Sequence, residues 1–298
     1  MSKDSDKKSS MREVSTSVNY LRAMAAVHSR TPATAFAELV DNAKDAGARN
    51  VRIGIVRYGA QSALSIKDDG KGMNLRGLKR MFGFGFSKRA VKKGGIGEYG
   101  AGFKSGSMKL GKNALVLTKH KATGEMYASL LSCDMHRELG MEALRQPIVQ
   151  FKEGVKGKVV VDRSQQNTED SLDMITRFSR VVANESILCT LMGKMKTGGT
   201  RVIISDINKD LEMEDDDILL TVNKSHEDEN QYWKHERSLR EYLGHLGYVR
   251  HLKSDPGNHI NLIPSFRNTP QGCVWLVNGR AVELFTPTKG QSVKKSGA

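Results

Sequence analysis

A chain of 298 residues with 38% hydrophobic and 6% aromatic residues is long enough for one large domain or two ordinary ones. No apolar run approaches the roughly twenty residues of a membrane span, and the polar start Met1–Ser10 lacks an apolar core, so neither a membrane partner nor a secretory leader is expected. Cys133, Cys189 and Cys273 are dispersed without a C-x-x-C pair, which argues against a disulfide frame or zinc site, while the net charge of +14 points to anionic partners.

Residues 1–14 are rich in Ser, Lys and Asp without periodicity and read as a disordered arm. Tyr20–His28 predicts a short helix. A second helix, through Ala35–Ala46, has Thr31 as N-cap, Pro32 in its first turn and Gly47 just past its end. Phe36, Leu39, Val40 and Ala43 form its buried stripe. Glu38, Asn42 and Asp45 share another face, where a carboxylate and a carboxamide one turn apart suit a water-activating base beside a hard-cation ligand. On an isolated helix the same spacing also fits a solvated polar face.

Alternation over Asn50–Val56 and the run Ala63–Lys67 predict two strands of a hairpin, the second delivering Asp68-Asp69-Gly70-Lys71-Gly72-Met73 to the end of a sheet. A carboxylate there can accept from an exocyclic amino group, and the glycines let backbone pass close to a base; an Asp-Gly turn is the plainer alternative. Leu75–Met81 predicts a short helix. Phe82-Gly-Phe-Gly-Phe-Ser-Lys88 then opens a glycine-rich, basic connection to Gly102, a candidate lid. From Gly100 onward, backbone N–H groups and a helix start make an anion cradle, with Lys104 adding a full charge and Ser87 and Ser105 hydroxyls.

Between Arg76 and Lys121 stand twelve Lys and Arg residues against Glu98 alone, a net +11 that suits nucleotide phosphates at close range and DNA at longer range. Further strands are predicted at Ala114–Thr118, Tyr127–Ser132, Lys158–Val161 and Thr200–Ser205, and a helix over Ser171–Ser186. The sum is an α+β sandwich: a mixed sheet covered on one face by helices. Glu212–Asp217 marks a composition shift. Beyond it come a helix over Trp233–Leu246, a strand at His259–Ile263, a hairpin around Asn278-Gly279, and a frayed tail, 287–298. His235, His245, His251 and His259 lack metal-like spacing.

A helix with Glu38 and Asn42, then D-x-G-x-G from Asp68, then Gly97-Glu-Tyr-Gly100-Ala-Gly102, in that order, resembles the ATP-binding boxes of the GHKL ATPases. Phe82-Gly-Phe-Gly-Phe-Ser-Lys and Tyr99-Gly-Ala-Gly-Phe-Lys-Ser-Gly-Ser-Met-Lys-Leu-Gly111 resemble the microrchidia (MORC) branch. The resemblance implies a GHKL domain over residues 15–210 and a partial S5-like transducer over 211–286. It implies Mg-ATP, with Asp68, not Asp69, reading adenine, and Gly70, Gly72, Met73 and the Thr200 hydroxyl around it. Phe84, Ser87, Gly97, Gly100, Ala101, Gly102, Phe103, Lys104 and Ser105 would surround the phosphates. Asn42 would hold Mg²⁺, and Glu38 and Lys104 would act in hydrolysis. It further implies an ATP-dependent homodimer that acts on DNA and chromatin in the nucleus. A non-hydrolysing adaptor and a MutL-like repair ATPase are the alternative readings.

Overall fold

The computed structural model describes residues 32–58, 61–83, 102–141, 145–209, 211–213, 218–220, 239, 243, 252–255, 259–262, 273–277 and 280–284. Helix α1 is Pro32–Asp45, and it buries Ala35, Phe36, Leu39, Val40 and Ala43, the stripe read from the sequence. Each large apolar side chain so buried contributes roughly 1.5–3 kcal/mol. The helix ends where expected: Gly47 takes φ +71°, its N–H donates to Lys44 O (2.8 Å) and Ala48 N–H to Ala43 O (3.1 Å), the paired bonds of a left-handed C-cap. The Thr31 cap and the Tyr20–His28 helix lie outside the described residues.

Strands β1 (Val51–Tyr58) and β2 (Gln61–Asp68) form the predicted hairpin. Helix α2 (Leu75–Phe82) follows, capped by Asn74, whose side chain accepts from Gly77 N–H (2.9 Å), and then α3 (Gly102–Leu110). Next come β3 (Gly111–Lys119), β4 (Met126–Ser132), α4 (Cys133–Glu138), β5 (Ile148–Glu153) and β6 (Val159–Val161). Helices α5 (Thr168–Phe178) and α6 (Glu185–Gly193) precede β7 (Gly199–Ile207), β8 (Leu211–Met213) and β9 (Ile218–Leu220). The last elements are β10 (Leu252–Asp255), β11 (His259–Leu262), β12 (Cys273–Val277) and β13 (Arg280–Leu284).

Nine strands form one sheet in the order β10-β11-β1-β2-β7-β3-β4-β5-β6. Strand β7 enters between β2 and β3, which puts Thr200 beside the end of β2 where Asp68 sits. Alternation sends successive side chains to opposite cores. Ala114 and Val116 of β3 join α1, α2 and α3, whereas Leu115 and Leu117 join Leu172, Ile175 and Phe178 of α5 and Leu188, Leu191 and Met192 of α6. Leu239 and Leu243, the described part of the Trp233–Leu246 helix, are fully buried in the first core.

The α+β sandwich expected from the sequence is present, and three details of its layout differ. The nine-stranded sheet is paired antiparallel throughout, not mixed. Helices cover both faces, because β3 and β4 are apolar on both sides and α5 and α6 close the second one. The helix expected over Ser171–Ser186 is two helices. It stops at Phe178 because Arg180 adopts φ +61° and Ser179 Oγ accepts from Val182 N–H (3.2 Å); α6 restarts at Asn184, which caps Ile187 N–H (3.0 Å). Past the composition shift, hairpin β10–β11 adds to the outer edge of β1, with Ile260 opposite Ile53. Strands β12 and β13 pair with Val277 opposite Arg280, around the expected Asn278-Gly279.

Candidate functional site

Helix α1 connects two groups of sequence-predicted residues. Near its C-terminal end, Lys71 N–H donates to Ala46 O (2.9 Å), which ties the Asp68–Met73 turn to the helix. Near its N-terminal end, a side chain at Gly102 would overlap Glu38 Oε2, so the first turn of α3 lies directly against the Glu38 carboxylate. Gly106 lets the two helices lie close: a Cβ there would stand 3.2 Å from Ala35 O. Asn42 stands one turn from Glu38 and one turn from Ala46, whose N–H it accepts at 3.0 Å. Eight residues of helix separate the ends by about 12 Å.

At the first end, Asp68 Oδ1 accepts from Gly70 N–H (2.8 Å) and Thr200 N–H (3.3 Å). Burial pushes its carboxyl up to about 6, against the lowering pull of those two donors. Asp69 is differently employed. It accepts from Arg49 N–H (2.7 Å), Asn50 N–H (2.8 Å) and Asn50 Nδ2 (2.7 Å), fastening the β2 end to the α1–β1 loop. Burial raises its carboxyl, but the hydrogen bonds from Asn50 and Arg49 outweigh that and hold it below the ordinary value. The split between the two aspartates expected from the sequence therefore has a physical basis in this turn.

The turn itself rests on β3 and β7. Gly72 has φ +64°, and a Cβ there would overlap Lys119 O; one on Gly199, φ +119°, would overlap Asp68 O. Thr118 Oγ1 accepts from Met73 N–H (2.8 Å) and donates to Gly199 O (3.2 Å), joining all three strands' ends. Thr118 and Gly199 are structural partners that sequence reasoning missed. Gly199 directly precedes Thr200, which the sequence did single out, but a threonine in an apolar strand such as Thr118 carries no signal of its own.

At the second end, Lys104 is fully buried, and its Nζ donates to Gly83 O (2.8 Å) and Met81 O (3.2 Å) at the carbonyl end of α2. Desolvation lowers its ammonium to about 8. Phe103 meets Phe82 edge to face, centroids 5.7 Å apart. Ser105 Oγ donates to Gly102 O (3.4 Å). The buried Asn42 Nδ2 has no hydrogen-bond partner among the described residues. The structure sets Gly70 and Lys71 against Ala46 at one end of α1, with Asp68 and Thr200 hydrogen-bonded beside them, and Gly102 against Glu38 at the other, whereas the Lys104 ammonium is engaged with the end of α2. Phe84, Ser87, Gly97, Gly100 and Ala101 lie outside the described residues. Among the described residues no cluster of three His, Cys, Asp or Glu could by itself hold a metal, and no helix is long and apolar enough to cross a membrane.

Comparison with known proteins identifies the family of the domain. Residues 30–160 match the family of histidine kinase-, DNA gyrase B- and HSP90-like ATPases. The chain is 35% identical over 177 residues to MORC family CW-type zinc finger protein 3 of Mus musculus, covering 58% of this chain and 18% of that one. It is 30% identical over 243 residues to ATPase morc-1 of Caenorhabditis elegans, covering 78% of this chain and 27% of the relative. With ATPase MORC2 of Homo sapiens it shares 33% identity over 179 residues, 58% of this chain and 17% of the other. The chain thus spans well under half the length of these relatives. It belongs to the GHKL ATPases, and the relatives that place it there are MORC-family proteins.

Proposed function

We propose that this chain binds Mg-ATP along the half-buried polar face of α1, hydrolyses it, and couples nucleotide state to homodimerisation on DNA. The observation that carries the reading is the order along α1: Asp68 at one end, Asn42 in the middle, and Glu38 against the start of α3 at the other. Asp68 accepts from the adenine amino group while Gly70 and Thr200 hold its other oxygen. Glu38 takes a proton from the attacking water. The N–H groups opening α3 stabilise charge on the transferred phosphoryl. Lys104 adds its charge once the ammonium exchanges the Met81 and Gly83 carbonyls for phosphate. Asn42 is the residue that would hold Mg²⁺, which supplies neutralisation of the phosphate charge and keeps most of its waters.

The exposed cations Arg76, Lys79, Lys112 and Lys121 fit contact with DNA, the names of the relatives support a MORC-type ATPase, and action on chromatin in the nucleus belongs to the same proposal. A second reading, a nucleotide-binding adaptor without turnover, is favoured by the engagement of Lys104 with α2. Phosphate release from Mg-ATP, measured with and without duplex DNA, separates the two: the ATPase reading expects turnover abolished by Glu38→Ala, and nucleotide binding without turnover in the parent chain would overturn it. Size measurement with a non-hydrolysable ATP analogue tests the dimer, and an unchanged monomer would remove it.

A further inference from the structure

On the sheet face turned away from α1, α2 and α3, three cations stand in one cross-strand row. Arg52 of β1 is opposite Lys67 of β2, and Lys67 is opposite Arg201 of β7. Their neighbours Ile53, Ile66 and Val202 lie in the α1–α3 core, so the three cations project to the other side. Lys67 Nζ donates to Lys194 O (3.2 Å), which brings the end of α6 and a fourth cation over the row, and Arg201 Nε donates to Ser65 Oγ (2.9 Å). Like charges directly opposite one another destabilise a sheet. Burial, then Arg201, Arg52 and Lys194, push the Lys67 ammonium below the ordinary lysine value, with Asp68 pulling the other way. Gathering these cations in one row builds a local positive potential to which a bound anion is attracted.

We infer that Arg52, Lys67, Lys194 and Arg201 form a phosphate-contacting patch for the backbone of duplex DNA, distinct from the 76–121 region. This extends the DNA reading above and rests on it. Adjacent strands lie about 4.8 Å apart, so Arg52 and Arg201 are separated by roughly 10 Å. A duplex strand, rising about 3.4 Å per nucleotide along its axis, presents successive phosphates over a span of that size. The row continues at the register positions of Asn261 and Lys253, opposite Arg52 and each other. It contains no aromatic residue, which suits a phosphate backbone more than the stacked bases of a single strand.

The test is fluorescence anisotropy of a labelled 20-base-pair duplex with the full chain across a salt series. Arg52→Glu with Lys194→Glu, both exposed and outside the nucleotide site, is expected to weaken binding about tenfold and lower the salt slope by about two. Arg52→Gln with Lys194→Gln should give a smaller loss of the same kind, and unchanged thermal midpoints exclude misfolding. Loss confined to Lys79→Glu with Lys112→Glu, with the Arg52/Lys194 pair binding like the parent, overturns the patch and leaves the DNA reading standing. A parent chain with no salt-dependent duplex binding overturns both. A patch that takes polyglutamate in preference to duplex also overturns the proposal.

Discussion

At the Asp68 end of α1, backbone does the work: two N–H donors fix the carboxylate, Thr118 binds the turn to β3 and β7, and Gly72 and Gly199 admit neighbouring carbonyls. At the Glu38 end, side chains carry the chemistry, and the one buried ammonium is committed to the carbonyls of α2. On the proposed function, the first end is already arranged by backbone, whereas the second requires a rearrangement of Lys104 before all its charge can reach a phosphate. Recognition and turnover should therefore respond to different substitutions.

The strongest way to sharpen that contrast is Glu38→Gln, expected to lower turnover by about 10²–10⁴-fold while nucleotide affinity stays within about threefold. Single-turnover phosphate release beside equilibrium binding measures both, and parallel losses would erase the distinction. Next in size, Gly72→Ala forces a Cβ into Lys119 O at positive φ and should lower stability by about 3 kcal/mol or more, read as a fall in the thermal midpoint. Asp68→Asn keeps an oxygen for Gly70 and Thr200 but presents a donor to adenine; ATP affinity should fall about ten- to a hundredfold by calorimetry, with GTP less affected.

Lys104→Met should lower turnover about tenfold, less than Glu38→Gln, because the N–H groups of α3 remain. With Asp68 raised to about 6 and Lys104 lowered to about 8, turnover of the parent should climb as pH rises through 6 and decline above 8. The smallest effect is on the nucleotide-free protein. Asp68 is raised from its ordinary 3.8, so its protonated form favours the fold. That contribution is complete below about 4 and lost as pH rises through about 6. Asp68→Asn should flatten this portion of the stability profile.

The Asp68 end and the whole of α1 were legible in the sequence because their signals are local. The apolar stripe from Phe36 to Ala43, Gly47 at the helix end and the spaced glycines each act within one turn. Non-local facts were not legible. Apolar spacing continues through Ser179 and Arg180, yet a serine side chain and a positive φ divide that helix. Nothing in the chain announces that Thr118 would meet Met73, forty-five positions away, or that Lys104 would find the end of α2. Coverage of both sheet faces depends on which strands lie side by side, which periodicity within one strand cannot reveal.

Hairpin β10–β11 has a practical meaning for anyone trimming the chain. By docking on β1 it satisfies amides and carbonyls along Val51–Gly54 that would otherwise face water as an open template. A fragment ended at residue 210, the domain limit that the resemblance implies, would keep Glu38, Asn42, Asp68 and Lys104 but expose that ladder to other molecules. Such a piece should bind ATP and nevertheless self-associate on storage, whereas one extended past Leu262 should stay dispersed.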